Sequence, residues 1–209
     1  TGTCDYGQGH ASTFAQIMHD RLGLPFDRID LLQKDSDQLT AGGGSGGSRS
    51  VMNSSMALLA AADEVETKAR QWAAHTLEAP EADLVLKEGA FEVVGTDRRV
   101  TLLEIARIAR ESPPVEGLPE DVDAELTVEG APSAYPNGVH YCELEVDPAT
   151  GVVAIDRYVA VNDFGTIVNP MLTRGQVQGG IVQGIGQAIF ENMVYDDEGQ
   201  LLSGSFMDY

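Results

Sequence analysis

The stretch GGGSGGSRS, residues 42–50, decides how the first half of this sequence is built. It holds five glycines, three serines and one arginine. It lies between a predicted strand over 28–33, RIDLLQ, and a long amphipathic helix pattern over about 51–78. Such a composition is typical either of a flexible linker or of a loop that binds an anion.

The position of this stretch points to an anion site, although a plain loop stays open. The stretch runs straight into the helix pattern at Val51, where we expect Ser48 or Ser50 to be the N-cap. Glycines let backbone N–H groups turn toward one point, the helix N-terminus adds positive potential, and the serine hydroxyls add hydrogen-bond donors. The guanidinium of Arg49 could support the bound charge. No GKS or GKT follows, so the loop is not a Walker A motif.

Composition limits the class of protein. The chain has 209 residues, enough for one large domain or two small ones, and its 43% hydrophobic content is that of a globular protein. A net charge of −20 argues against nucleic acid or an anionic membrane as a partner. The two cysteines form no CxxC pair, so neither a four-thiolate metal site nor a disulfide framework is expected. A reducing cytoplasm fits this cysteine usage best.

The periodicity of apolar residues predicts an α+β fold with mixed sheets and packed helices. Helical spacing predicts helices over 10–23, 51–78, 101–112 and 171–193. Alternation predicts hairpins over 84–94, 138–163 and 194–204. Thr101 and Glu104 form a predicted capping box, and Glu88–Gly89 a predicted hairpin turn.

A proline-rich acidic stretch predicts a division of the chain. Residues 111–125 hold three prolines and many acids, and we expect them to be a linker. They would separate a first subdomain, 1–110, which carries the glycine-rich loop, from a second, 126–209, which carries a hairpin and a glycine-rich helix.

Two further clusters could bind a ligand. YGQGH, residues 6–10, lies at a helix start, and an ordinary strand-to-helix turn is the plainer interpretation. His10 has no metal-ligating partner one helical turn away, so no metal site is expected. The helix pattern RGQVQGGIVQGIGQ, residues 174–187, keeps five glycines, each of which costs about 1 kcal/mol relative to alanine. Tight helix packing and contact with a polar ligand explain that cost equally well.

These clusters, in this order, resemble one protein family. The segments are GTCDYGQGHASTFAQI, GGSGGSRS, YPNGVHYCELEVDPATG and VNDFGTIVNPMLTRGQVQGGIVQGIGQA. Together they are similar to the molybdenum-cofactor-binding large subunit of the xanthine dehydrogenase and aldehyde oxidase family, which includes aerobic carbon monoxide dehydrogenase. The resemblance covers essentially the whole chain, with no family motif over 79–130.

The resemblance implies an oxidoreductase that hydroxylates a carbon centre in an aldehyde or N-heterocycle, with water as the oxygen source. It implies part of a molybdopterin-binding domain and a molybdenum–molybdopterin cofactor, with an attached cytosine dinucleotide in bacterial types. Iron–sulfur and flavin subunits or domains would accept the electrons. The protein is expected to give molybdenum no side-chain ligand.

Residue by residue, the resemblance also implies a set of cofactor contacts. These are Gln8, Gly9, His10, Ser45, Gly46, Gly47, Ser48, Ser50 and Gln176, to which charge and position add Arg49. Gln8 is expected to hydrogen-bond the cofactor, with Gly9 and His10 lending backbone groups. The serine–glycine loop is expected to line the pterin and its phosphate, and the resemblance therefore favours the anion loop.

The family's catalytic glutamate lies in a GxGE-like segment beyond the position of Tyr209, so no catalytic residue is expected here. We therefore expect a piece of the catalytic subunit that forms one wall of the cofactor site, inactive and without cofactor when isolated. Its partners would be the remainder of the large subunit, the redox subunits and a small-molecule substrate. An anion- or nucleotide-binding module without catalysis, or a structural piece without ligand, are the alternatives.

Overall fold

The computed structural model describes residues 1–33, 35–39, 41–129 and 133–209. The chain divides into two compact units, Thr1–Pro132 and Ser133–Tyr209. The predicted linker 111–125 lies within the first unit rather than between the two. It packs there because Val122 is buried in the core and the indole Nε1 of Trp72 donates to the carbonyl of Pro119 at 2.9 Å.

The first unit consists of three α-helices and one small antiparallel sheet. The helices are α1, His10–Leu22; α2, Ser50–Thr76; and α3, Leu102–Glu111. The strands are β1, Leu84–Lys87; β2, Ala90–Val93; and β3, Arg99–Thr101, in the order β1-β2-β3. Single 3₁₀ turns occur at Phe26–Arg28 and Glu81–Asp83. This mixture of helices and antiparallel strands confirms the predicted α+β class.

Local signals placed several element ends correctly. Gly23 ends α1 in the left-handed region, with a φ of 70°, where glycine meets no Cβ penalty. Thr101 and Glu104 form the predicted capping box, in which each side chain accepts from the other's backbone N–H. The β1–β2 turn is at Glu88 and Gly89, whose φ angles of 48° and 73° fit a type I′ turn.

Two predictions in the first unit are wrong. Residues 28–33 form no strand: Arg28 ends a 3₁₀ turn, residues 29–33 pair with no other strand, and Gln33 binds side chains of the N-terminal segment. The N-cap of α2 is Arg49, without a side-chain cap, and neither Ser48 nor Ser50 fills that role. Ser48 has a φ of 54°, outside the extended region that an N-cap adopts, and Ser50 is already the first helical residue.

The core of the first unit lies between α2, α3 and the sheet. Phe91 on β2 and Ile105 on α3 are fully buried there, together with Trp72 of α2. Near the C-terminal end of α1, Arg21 binds Asp63 at 2.6 Å and Glu66 at 2.7 Å in the middle of α2. Hydrophobic burial and this ion-pair cluster hold α1 against α2, and so fix the two helix starts that carry the candidate loops.

The second unit is a long hairpin, a helix and a closing turn. Strand β4, Asn137–Val146, pairs antiparallel with β5, Val153–Asp163, with a bulge between Glu143 and Leu144. Helix α4, Pro170–Ile185, continues into a π-helical turn, Gly186–Phe190. The predicted last hairpin is reduced to one bridge between Tyr195 and Leu201. Among the described residues of this unit, Ser203 alone is buried.

Candidate functional site

The two candidate loops of the first unit meet at the backbone of Cys4. The hydroxyl of Ser45 accepts from the Cys4 N–H at 3.0 Å and donates to the Cys4 carbonyl at 2.5 Å. The same carbonyl accepts from the side-chain amide of Gln8 at 3.3 Å. The hydroxyl of Ser50 donates to that of Ser45 at 3.1 Å. The glycine-rich loop over 42–50 and the turn over 6–10, which are distant in sequence, therefore both bind the backbone carbonyl of Cys4.

Some glycines of the loop serve close backbone packing. The N–H of Gly44 donates to the carbonyl of Gly2 at 3.2 Å. A Cβ on Gly2 would lie 2.4 Å from the carbonyl oxygen of Ala41, and one on Gly42 would lie 2.7 Å from that of Gly2. A side chain at either position would collide with backbone. Gly2 and Gly42 are thus explained by contact between the loop and the N-terminal segment.

The rest of the loop presents unused donors. A Cβ on Gly46 would meet nothing within 4 Å, and within the described part of the chain the N–H groups of Ser45, Gly46 and Gly47 have no acceptor. Gly47 and Ser48 are both left-handed, with φ of 62° and 54°. The Nε of Arg49 folds back toward the carbonyl of Gly46 at 3.4 Å. Free N–H groups and a guanidinium in one exposed loop are what an anion requires.

The turn at the start of α1 is organised by Asp5, which the sequence analysis did not select. One carboxylate oxygen accepts from the N–H of Gly7 at 2.9 Å and of Gly9 at 3.3 Å, and the other from the N–H of His10 at 3.1 Å. Desolvation raises the pKa of Asp5, but these three hydrogen bonds and the nearby His10 outweigh it and leave the pKa below its ordinary value. The sequence did contain a signal for Asp5, namely an aspartate a few residues before the glycines at which a helix starts.

This arrangement limits what Gly9 and His10 can offer a ligand. Their N–H groups already donate to Asp5, and the Gly9 carbonyl accepts from the N–H of Thr13 at 3.1 Å. Gln8 is also engaged, because its amide oxygen accepts from the N–H of Tyr6 at 2.5 Å and its nitrogen donates to Cys4. An amide nitrogen carries two hydrogens, so Gln8 keeps one for another acceptor.

Beneath the turn lies a buried polar cluster. The side chain of His10 is 2% exposed and stacks on Phe14, with ring centroids 5.0 Å apart. Its Nδ1 lies 3.2 Å from the amide nitrogen of Gln33, whereas its buried Nε2 has no partner among the described residues. No sequence pattern pointed to Gln33.

The glycine-rich helix α4 belongs to the second unit and has no buried residue. Cβ atoms on Gly175, Gly179, Gly180 and Gly184 would meet nothing within 4 Å. Tight packing within the described part of this chain therefore does not explain these glycines. Gln176 lies on the exposed surface of the same helix. Asn169 caps the helix by accepting from the N–H of Leu172 at 3.0 Å.

The described residues show two absences. No group of three or more histidine, cysteine, aspartate or glutamate side chains is arranged to hold a metal ion among them. Within the same residues, no helix combines the length and the apolar character needed to cross a membrane.

Comparison with known proteins places these features in context. A family described as the molybdopterin cofactor-binding domain matches residues 1–209. The carbon monoxide dehydrogenase large chain of Hydrogenophaga pseudoflava is 37% identical over 209 residues, all of this chain and 26% of that protein. The 6-hydroxypseudooxynicotine dehydrogenase complex subunit gamma of Paenarthrobacter nicotinovorans is 38% identical over 214 residues, again all of this chain and 26% of that protein.

Solved structures show the same likeness. The Cu,Mo-CO dehydrogenase in its carbon monoxide reduced state matches with a TM-score of 0.87 at 37% identity, over 100% of this chain and 26% of that one. Quinoline 2-oxidoreductase from Pseudomonas putida 86 matches with a TM-score of 0.85 at 33% identity, over 99% of this chain and 27% of that one. The chain thus spans about a quarter of the length of these relatives.

Proposed function

Because this chain belongs to the molybdopterin cofactor-binding domain family, as its sequence resemblance predicted, we propose that it forms one wall of a molybdopterin site in a molybdenum hydroxylase. The observation that carries the proposal is the junction at Cys4. There Gln8 and Ser45 bind one carbonyl, and the N–H groups of Ser45, Gly46 and Gly47 find no acceptor among the residues that the structure describes.

The residues present fit such a cofactor chemically. A phosphate group would accept from the N–H groups of Ser45, Gly46 and Gly47 and from the hydroxyl of Ser48, while Arg49 offsets its charge. Ser50, whose hydroxyl donates to Ser45, would line the site and hold the loop. The remaining amide hydrogen of Gln8 suits a carbonyl or ring nitrogen of a pterin. In this proposal Gly9 and His10 line the site and shape its turn, since their N–H groups serve Asp5.

Gln176 is proposed as a further cofactor contact, from the glycine-rich helix of the second unit. The open space at its glycines lets a ligand or another part of the protein approach the helix backbone closely. When bound, the cofactor would supply the two-electron oxidation of the substrate. We propose its cytosine dinucleotide form, by the likeness to the bacterial relatives.

The surroundings of the site are proposed in the same way. The remainder of a large subunit would supply the opposite wall and the catalytic glutamate, and iron–sulfur and flavin partners would remove the electrons. The substrate would be an aldehyde, an N-heterocycle or a similar small molecule, and the enzyme would work in the cytoplasm. The competing proposal is an anion- or nucleotide-binding module with no catalysis of its own, since the unused donors of the loop fit either role.

Molybdenum content tests the proposed contact at Gln176. In the full subunit, Gln176→Ala should lower the molybdenum and pterin content more than it lowers the stability of the fold, because the exposed amide contacts the ligand rather than the core. Gln178→Ala is the matched control, since Gln178 is also exposed but lies about 200° further around the helix. Equal, full cofactor content in both variants would reject the contact.

Activity separates the two candidate functions. The full subunit with its partners should hydroxylate a substrate, whereas the 209-residue chain alone should turn over none, because no general base is assigned within it. A full subunit that binds cytidine nucleotides but holds no molybdenum would favour the binding module.

A further inference from the structure

The buried polar cluster below the two loops connects to the site through Thr3. Its hydroxyl lies 3.1 Å from that of Ser54 on α2 and 2.9 Å from the amide nitrogen of Gln33. Both Thr3 and Ser54 are buried. Gln33 in turn reaches the ring of His10, the first residue of α1. Four segments of the first unit, including the starts of α1 and α2, are therefore joined by side-chain hydrogen bonds.

This network lies directly next to the junction that carries the proposed function. The residue after Thr3 is Cys4, whose N–H and carbonyl both bind Ser45. Thr3 fixes the backbone from the protein interior, and Ser45 grips the following peptide from the loop. One helical turn separates Ser50, which bonds Ser45, from Ser54, which bonds Thr3. The same short segment is held from both sides.

Gln33 lies at the centre of the network. Its amide nitrogen carries two hydrogens and lies within hydrogen-bond distance of three groups, the hydroxyls of Thr1 and Thr3 at 2.9 Å each and Nδ1 of His10 at 3.2 Å. Gln33 therefore holds the N-terminal segment against the ring at the start of α1. An apolar residue in place of Gln33 would leave buried polar atoms of Thr3 and His10 without this partner, which is costly inside a protein.

We propose that Gln33 and Thr3 are positioning residues for the cofactor loops, holding the Cys4 peptide where Gln8 and Ser45 can both engage it. This inference rests on the proposed function. It predicts that the network governs how long the cofactor stays bound, beyond any contribution to fold stability. Around bound metals, residues that orient a ligating side chain without touching the metal typically change affinity or activity about 10- to 100-fold when they are replaced. We expect an effect of this size for the cofactor here.

The decisive comparison is between two substitutions of Thr3 in the full subunit loaded with cofactor. Thr3→Val keeps the shape and removes the hydroxyl, whereas Thr3→Ser keeps the hydroxyl and removes the methyl group. We expect Thr3→Val to release molybdenum and pterin about 10- to 100-fold faster on gel filtration, and Thr3→Ser to release them at the wild-type rate. If the residue served packing alone, the serine variant would be the more damaged of the two.

Two further variants separate positioning from stability. Gln33→Leu should release cofactor faster, as Thr3→Val does. Ile105→Val, in the core remote from the loops, should lower the melting temperature but leave the release rate unchanged. If Thr3→Val does not fold, Ser54→Ala takes its place, because it removes the hydroxyl at the α2 end of the network.

The outcomes distinguish this inference from the proposed function. Equal release rates in wild type, Thr3→Val and Gln33→Leu would overturn the positioning role and leave the proposed function standing. A wild-type full subunit that holds neither molybdenum nor pterin would contradict the proposed function itself, and the inference with it.

Discussion

The two units of this chain use apolar residues in opposite ways. In the first, Trp72, Phe91 and Ile105 are buried between two helices and a sheet. In the second, every residue of β4 is exposed, and the paired Val139 and Val161 are 71% and 68% exposed. Both units show clear alternation or helical periodicity in their sequences. Periodicity therefore predicts a helix or a strand, whereas only the structure shows whether the apolar face of that helix or strand is buried.

The exposed surface of the second unit is continuous along its hairpin. Val139 and Tyr141 of β4 stand opposite Val161 and Val159 of β5, so these four apolar side chains share one face. Contiguous apolar patches of this kind mark surfaces that bind something else. The proposed remainder of a large subunit would provide that cover.

Separating the units gives the largest expected effect. Residues 133–209 alone should show no cooperative unfolding, because they bury no apolar side chain among those described and an isolated two-stranded hairpin is marginal in water. Residues 1–132 alone should unfold cooperatively in urea, followed by circular dichroism. A sharp transition from 133–209 would show that the exposed hairpin is self-sufficient, and the contrast between the units would fail.

Truncating one apolar side chain in each unit gives the next largest effect. Phe91→Ala should lower the free energy of unfolding by about 3–5 kcal/mol, because it opens a cavity in the core. Val161→Ala, at an exposed strand position, should change it by less than about 0.5 kcal/mol. Urea denaturation of the whole chain measures both. A large loss at Val161 would mean that the second unit has a core of its own.

Sequence reasoning succeeded in the fold where the signal was local. The Thr101–Glu104 capping box, the Glu88–Gly89 turn and Gly23 each depend on neighbours within a few residues, so the printed sequence contains all the information. It failed at 28–33, because whether an extended segment becomes a strand depends on a partner far along the chain. The same limit placed a linker at 111–125, where the buried Val122 holds the segment to the core.

The candidate site shows the same difference between local signals and contacts that are distant in sequence. Resemblance named Gln8 and Ser45, and the structure shows how they meet at Cys4, a contact that no local pattern contains. Asp5 was missed although its spacing to the helix start was visible. Gln33 was missed because its partners come from two other segments, the N-terminal segment and the start of α1, so nothing in its own neighbourhood marks it.

Replacing a glycine by alanine should have opposite effects on stability in the two units, and both effects should be smaller than those above. Gly2→Ala should destabilise the first unit by roughly 1–3 kcal/mol, because the new Cβ meets the Ala41 carbonyl. Gly180→Ala should stabilise α4 by about 1 kcal/mol in the isolated chain, since its Cβ enters open space. Hydrogen exchange of α4 and urea denaturation test the pair. Destabilisation by Gly180→Ala in the isolated chain would reveal packing at α4 that the structure lacks.

The smallest effect concerns the two helix starts and their response to acid. The turn before α1 is held by the carboxylate of Asp5, whose pKa is lowered, whereas α4 is capped by the neutral amide of Asn169. A group with a lowered folded pKa stabilises the fold above its ordinary pKa of about 3.9 and loses that contribution as the pH falls through the folded value. The turn at Gly7–His10 should therefore loosen only below about pH 3.9, and the start of α4 should not respond.

Local amide signals are the suitable measurement, because many other carboxylates also titrate in this acidic chain. The N–H chemical shifts of Gly7, Gly9 and His10 should move together, with a midpoint below about 3.9, while that of Leu172 stays constant. In Asp5→Asn the common midpoint should disappear, because an amide accepts hydrogen bonds without titrating. A midpoint at or above 3.9 in the wild-type chain would mean that the three N–H groups do not favour the charged carboxylate, and that the turn owes its shape to its glycines.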